Sequence, residues 1–145
     1  HRDLHSFPTR RSSDLTAVFT TAAPPLLAVA LLESLHLIKS ADDRRAHLRR
    51  LIEQLRAGLA PLCTIAGWRL LHSDTAIQPL VIGGNQESLD LAEALLVRGI
   101  WAPAIRPPTV PLGQARLRIS LSASHTTAQV DRLLAALGEI AACAS

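Results

Sequence analysis

Aromatic residues, lysine and cysteine are all scarce in this 145-residue sequence, and each scarcity argues against a class of protein. Aromatic side chains make up only 3% of the chain, which leaves little surface on which nucleic-acid bases would stack. The net charge is +3, but acidic and basic residues interleave without a long basic run, so a nucleic-acid partner is not indicated. The two cysteines, Cys63 and Cys143, form no pattern typical of a disulfide scaffold or a metal site.

Long hydrophobic runs are missing as well. The apolar run Leu26–Leu32 is followed by Glu33 and is too short to span a bilayer. No stretch resembles a signal peptide, so we expect a cytoplasmic protein without a membrane partner. What the sequence does contain is 48% hydrophobic and 19% charged residues, which is the composition of a globular domain with its own core.

Residues 1–15 differ in character from the rest of the chain. This stretch, HRDLHSFPTRRSSDL, is polar and has neither a helical nor a strand period. It is interpreted either as a disordered basic tail or as the translation of a sequencing adapter joined to the gene by misassembly, which HSFPTRRSSDL resembles. We favour the adapter and expect the native part of this chain to start near Thr16.

Apolar periodicity and turn residues predict the order helix, helix, strand, strand, helix, strand, strand, helix. This order is typical of an α+β fold in which a small sheet of three or four mostly antiparallel strands carries helices on one face. The expected strands are Trp68–Leu71, Ala76–Ile82, Ile100–Ile105 and Arg116–Leu121.

The helix ends carry recognisable signals. Two prolines, Pro24-Pro25, open a first helix that is apolar on nearly every side. We expect Ser40 to cap the second helix, whose apolar period runs to Leu59. Gly99 is a candidate left-handed cap for the third helix, and Thr126 with Gln129 matches a capping box for the last.

The stretch Ala104–Ser120, AIRPPTVPLGQARLRIS, combines three arginines with three prolines between two apolar runs. The prolines predict a stiff loop, and the period of a strand places Arg116, Arg118 and Ser120 on one face. Because a guanidinium binds carboxylate or phosphate through a bidentate fork, this stretch is a candidate site for an anionic small molecule. Ser120 has no base and acid at triad spacing, so a hydrolase is not indicated.

The segments SDTAIQPLVIG, AIRPPTVPLGQARLRISLSASHT and VDRLLAAL together resemble the C-terminal domain of the pyridoxal-phosphate-dependent α-oxoamine synthases. The similarity extends from Thr16 to about Gly138 and is greatest to the 8-amino-7-oxononanoate synthase family, although 2-amino-3-ketobutyrate CoA ligases, 5-aminolevulinate synthases and serine palmitoyltransferases share the general pattern. The resemblance implies a homodimeric fold type I enzyme in which a large domain carries the cofactor and this small domain, residues 16–145, closes over the substrate.

The resemblance also implies roles for particular residues. Arg118 matches the arginine that holds the carboxylate of the amino-acid substrate, and Arg106 and Thr109 match loop residues of the acyl-substrate site. Thr20 and Thr21 fall where relatives place hydroxyls near the cofactor phosphate of the neighbouring subunit. Arg116 is expected to be a structural ion-pair partner, and His125 is assigned no chemistry.

The reaction implied is the decarboxylative condensation of L-alanine with pimeloyl-CoA, or with a pimeloyl carrier protein, in biotin synthesis. That chemistry needs a lysine that forms a Schiff base with pyridoxal phosphate, and Lys39, the sole lysine, matches no such motif. We therefore expect an inactive fragment with no catalytic residue and no covalently bound cofactor. The alternatives are another α-oxoamine synthase, or a free-standing small-molecule-binding or dimerisation module.

Overall fold

The computed structural model describes residues 24–143, and the chain divides into two compact units, residues 1–41 and 42–145. The expectations for residues 1–15 and for Thr20 and Thr21 lie outside the described residues. In the first unit, helix α1 (Pro25–Lys39) begins with a proline, as the sequence predicted. None of its residues is buried.

Ser40 ends helix α1 instead of capping the helix that follows. Its backbone N–H donates to His36 O at 3.1 Å, and its hydroxyl oxygen lies 3.2 Å from both His36 O and Leu37 O. The expected cap was therefore wrong. A serine hydroxyl between two helices can bond to either of them, and here it lies within hydrogen-bonding distance of the carbonyls in the last turn of the preceding helix.

The second unit contains a four-stranded sheet and three helices. Its elements in chain order are α2 (Asp42–Ala66), β1 (Arg69–Leu70), β2 (Ile77–Gly83), α3 (Asn85–Val97), β3 (Ala104–Ile105), β4 (Ala115–Ser120) and α4 (Thr127–Cys143). The strand order is β1-β2-β4-β3, and each neighbouring pair is antiparallel. The predicted α+β class and antiparallel sheet are confirmed.

Helix α2 is longer than its apolar period indicated, because it continues through Pro61 to Ala66. Proline removes one intrahelical hydrogen bond, and a break would be expected on local grounds. Beyond it, however, Leu62 and Cys63 pack against the hydrophobic core. These tertiary contacts favour continuing the helix for a further turn.

One face of the sheet is covered by the helices and forms the core. Leu80 of β2 lies opposite Leu117 of β4, and both are fully buried. They belong to one cluster with leucines of all three helices of this unit: Leu51, Leu55 and Leu59 of α2, Leu91 and Leu95 of α3, and Leu133 and Leu137 of α4. Each fully buried leucine contributes about 2 kcal/mol relative to exposure. The helices therefore bury a single face, as expected.

The structure contains the two predicted helix caps, one at the end of α3 and one at the start of α4. Gly99 adopts a φ of 74° just after α3, and the N–H of Ile100 donates to Leu95 O at 2.9 Å. At the start of α4, Thr126 N–H donates to Gln129 Oε1 at 2.9 Å and Gln129 N–H donates to Thr126 Oγ1 at 3.3 Å. This reciprocal pair is the predicted capping box.

Candidate functional site

The sheet face opposite the helices carries the arginine side chains of β4. Buried Ala115, Leu117 and Ile119 alternate along the strand with Arg116 and Arg118. Because successive side chains point to opposite faces, the two arginines share the face that the helices leave uncovered. We call this the open face.

On the open face, Arg118 lies between two prolines of the neighbouring chain segments. It pairs with Pro79 of β2, and on its other side its N–H donates to Pro103 O at 3.0 Å. Its side chain is exposed and forms no hydrogen bond or ion pair within residues 24–143. A guanidinium held by a strand, with all its donors unused, is suited to bind a carboxylate through two parallel hydrogen bonds.

The proline-rich loop joins β3 to β4 where the sequence placed it and is folded into two consecutive turns. Thr109 N–H donates to Arg106 O at 3.0 Å across a cis Pro107–Pro108 bond. Gln114 N–H donates to Pro111 O at 3.1 Å, and Gly113 between them has a φ of 73°.

The candidate residues therefore form two groups. Arg106 and Thr109 lie at the two ends of one turn, and both are exposed. The loop rejoins the sheet at Ala115. Arg118 lies three residues further on, and three residues of strand extend about 10 Å. The structure thus places Arg106 and Thr109 on the loop and Arg118 on the strand that follows it.

Arg116 does not form the ion pair that the sequence led us to expect. Its Nε donates to the backbone carbonyl of Gln114 at 3.0 Å, and the residue is half-buried. No acidic side chain occurs in any of the four strands described above. Arg116 thus has a structural role, but a carbonyl oxygen takes the place of a carboxylate.

Arg69 is a further residue of the open face that the sequence did not single out. It pairs with Val81, which pairs in turn with Arg116, so all three side chains share one row. Arg69 Nη2 donates to Gln114 Oε1 at 2.9 Å. The open face therefore carries three arginines, and only the sheet register could show that Arg69 belongs with the other two.

Neither the thiol of Cys63 nor a cluster of metal-binding side chains adds a reactive centre to the described residues. Burial raises the pKa of the Cys63 thiol, and a backbone hydrogen bond with Leu70 partly opposes this rise, so the thiol is a weak nucleophile at neutral pH. Residues 24–143 contain no group of three or more His, Cys, Asp or Glu side chains that could hold a metal ion. Within the same range, no helix has the length and apolar character needed to cross a bilayer.

The sequence is similar to bacterial enzymes over most of its length. It is 58% identical over 123 residues to the 8-amino-7-oxononanoate synthase of Delftia acidovorans, and 60% identical over 125 residues to that of Nitrosomonas europaea. These alignments cover 85% and 86% of this chain. The chain spans about a third of the length of these relatives, 30% and 31% respectively.

Solved structures have a similar fold. Serine palmitoyltransferase of Sphingomonas wittichii matches with a TM-score of 0.74 at 28% identity, over 87% of this chain and 31% of that protein. The 8-amino-7-oxononanoate synthase of Francisella tularensis matches with a TM-score of 0.68 at 26% identity, over 86% of this chain and 35% of that protein.

A family model described as aminotransferase class I and II matches residues 9–137. This match covers most of the chain, including the whole sheet, the proline-rich loop and most of helix α4. The chain belongs to the class I and II aminotransferase family.

Proposed function

We propose that this chain is the C-terminal part of an 8-amino-7-oxononanoate synthase. Such an enzyme condenses L-alanine with a pimeloyl thioester, either pimeloyl-CoA or a pimeloyl carrier protein, and releases carbon dioxide in a step of biotin synthesis. The observation that carries the proposal is the 58% identity over 123 residues to a relative of that name.

In this proposal Arg118 binds the carboxylate of the amino-acid substrate. This role is supported by the exposed position of the guanidinium on a strand and by the absence of a competing acidic residue in the four described strands. Two parallel hydrogen bonds fix the plane of the carboxylate, and this orients the bond from the α-carbon that must break. Arg118 is thus a positioning group that touches substrate, not an acid or base.

Arg106 and Thr109 are proposed to contact the acyl thioester. Their turn is closed by a 3.0 Å hydrogen bond and lies in the loop that precedes the strand of Arg118. This spacing supports separate subsites for the two substrates, one on the strand and one on the loop.

We propose that this chain does not attach pyridoxal phosphate covalently by itself. Covalent attachment needs a lysine amine, and Lys39, the sole lysine of the sequence, is exposed at the last position of helix α1. We infer that the remainder of a cytoplasmic, homodimeric parent enzyme binds the cofactor. Thr20 and Thr21 are proposed to reach its phosphate in the neighbouring subunit.

A chimera tests the function. The matching 123-residue segment of the Delftia acidovorans enzyme is replaced by the corresponding residues of this chain, and 8-amino-7-oxononanoate is assayed with L-alanine and pimeloyl-CoA. Product formation is expected. Arg118→Gln in the chimera should raise the KM for L-alanine about 100-fold, because roughly 3 kcal/mol of charge-assisted hydrogen bonding is lost.

Arg50→Gln is the matched control, because Arg50 is an exposed arginine of helix α2 outside the sheet. It should leave the KM unchanged. A chimera that binds pyridoxal phosphate but condenses glycine with acetyl-CoA in preference to alanine with pimeloyl-CoA would favour a 2-amino-3-ketobutyrate CoA ligase. An unchanged KM in Arg118→Gln would remove Arg118 from the site.

The chain by itself is proposed to be inactive. When the 145-residue chain is mixed with pyridoxal phosphate and treated with borohydride, mass spectrometry should find no stoichiometric adduct on Lys39. A stoichiometric adduct on that residue would contradict this proposal.

A further inference from the structure

A cavity on the helix side of the sheet lies apart from the open face. Its volume is about 190 Å³, and it lies between the end of β4, the segment after α3 and the first turns of α4. Ile119, Leu121, Val130 and Leu133 contribute apolar side chains to it, and Trp101 forms part of its wall. Because an apolar cavity of roughly 150 Å³ binds benzene, this volume is suited to a small organic molecule.

Hydrogen-bond donors line the polar side of this cavity. His125 Nδ1 accepts the backbone N–H of Ser122 at 3.1 Å, so in the neutral ring the proton is on Nε2. His47 Nε2 lies 2.9 Å from the carbonyl oxygen of His125, which ties this turn to helix α2. Within the described residues His125 Nε2 has no partner and remains available as a donor.

The guanidinium of Arg132 is held at the same cavity by the end of helix α3. Its Nη2 donates to the carbonyl of Arg98, and it lies over Gly99, where an added Cβ would come within 3.0 Å of that nitrogen. A guanidinium has five N–H donors, and only this hydrogen bond occupies them within residues 24–143. Arg132 is therefore fixed in position with donors to spare.

The charge of the lining selects the kind of ligand. Arg132 brings a permanent positive charge, and no Asp or Glu lines the cavity. The indole of Trp101 is 78% exposed, an unusual position for so large an apolar side chain, and a bound apolar group would cover part of it. The cavity thus has hydrogen-bond donors and a cation on one side and apolar side chains on the other. This arrangement matches a ligand that has a carboxylate at one end and a short apolar body.

We propose that this cavity binds a small organic monocarboxylate of roughly six to nine non-hydrogen atoms. The carboxylate is held by Arg132 and His125 Nε2, and the apolar body lies between Trp101 and the end of β4. The site lies on the opposite side of the sheet from Arg118, so the proposal is independent of the proposed function.

Fluorine NMR of the full 145-residue chain tests the proposal. Labelling with 5-fluorotryptophan gives two signals, because the chain contains two tryptophans, Trp68 and Trp101. Titration with benzoate should shift the Trp101 signal in a saturable manner and leave Trp68, which does not line the cavity, unmoved. Benzamide has the same shape without the charge, and it should bind at least 10-fold more weakly.

Arg132→Gln should weaken benzoate binding at least 10-fold, whereas the control Arg50→Gln should not change it. The benzamide comparison uses the unmodified chain and so remains decisive if Arg132→Gln fails to fold. Equal shifts with benzoate and benzamide, parallel shifts of both tryptophans, or no shift of Trp101 at 50 mM benzoate would each overturn the proposal.

Discussion

Two separate features favour glycine at position 99: a positive φ and the close approach of the Arg132 side chain. Its φ of 74° lies in the left-handed region, and an added Cβ would lie 3.0 Å from Arg132 Nη2. Gly67 has a similar φ of 70° but nothing within 4 Å of its Cβ position. The two glycines therefore separate the cost of the conformation from the cost of the contact.

We expect Gly67→Ala to lower the free energy of unfolding by about 1 kcal/mol, because alanine resists a positive φ. Gly99→Ala should cost more, since Arg132 must also move away from the Arg98 carbonyl. Urea denaturation followed by circular dichroism measures both values. Equal losses would mean that Arg132 adjusts freely and that its position is not fixed.

Gln78 is a polar residue that the core accommodates completely. It is 0% exposed, its Nε2 donates to Thr75 O at 2.6 Å and to Ser73 O at 3.1 Å, and its Oε1 accepts from Arg56 Nη1 at 2.6 Å. Every polar atom of the side chain is thus paired. The strand period placed Gln78 on the face of Leu80, but only the packed structure shows why a polar group is tolerated there.

At the scale of elements, this network connects helix α2 to the sheet. Arg56 of α2 bonds both Gln78 of β2 and the carbonyl of Leu71. Gln78→Leu removes the amide that bonds to the Arg56 guanidinium and to the carbonyls of Ser73 and Thr75. We therefore expect the free energy of unfolding, measured with urea, to fall by about 3 kcal/mol.

A double-mutant cycle makes this prediction specific. Gln78→Leu combined with Arg56→Leu should cost less than the sum of the two single variants, with a coupling of about 1–2 kcal/mol. Additive losses would indicate that the hydrogen bond contributes nothing beyond the packing of each side chain.

At the scale of the whole molecule, helix α1 presents an extensive apolar surface. Eight of its large apolar side chains are at least half exposed: Leu26, Leu27, Val29, Leu31, Leu32, Leu35, Leu37 and Ile38. Surfaces of this kind usually mark contacts with another chain or with a further part of the same protein. The chain spans only 30% of the length of the Delftia acidovorans relative.

We therefore expect the 145-residue chain to self-associate, because burying these side chains removes apolar surface from water. Light scattering at increasing concentration measures this. The paired change Leu26→Glu and Leu32→Glu should reduce the association, whereas Leu112→Glu should not, although Leu112 is 83% exposed in the proline-rich loop. A monodisperse monomer at all concentrations would contradict the expectation.

Local sequence signals determined the elements wherever neighbouring residues carry the physical cause. The capping box of Thr126 and Gln129, the left-handed Gly99 and the alternation of β4 depend on hydrogen bonds and sterics within a few residues, so they were predictable. The same holds for the loop from Arg106 to Gln114, because prolines restrict the backbone regardless of the surroundings.

Tertiary contacts decided what local signals left open or favoured wrongly. Pro61 stays within α2 because the residues after it pack on the core. The segment Ile100–Pro103 is not strand, and beyond the paired residues Ala104–Ile105 it keeps one hydrogen bond to β4, from Arg118 N–H to Pro103 O. Arg116 donates to the carbonyl of Gln114 because no carboxylate lies in the four described strands.

The sequence by itself determined that Arg118 faces away from the core and that a stiff loop precedes its strand. Only the tertiary structure decided what surrounds that arginine, because strand register is set by pairing between distant segments. Register brought Arg69 into the row of Arg116, and helix packing placed Arg132 and His125 around one cavity. Arg69 and Arg116 are far apart in the chain, and the cavity also requires Trp101 and Ile119 from other segments, so no local pattern could predict either arrangement.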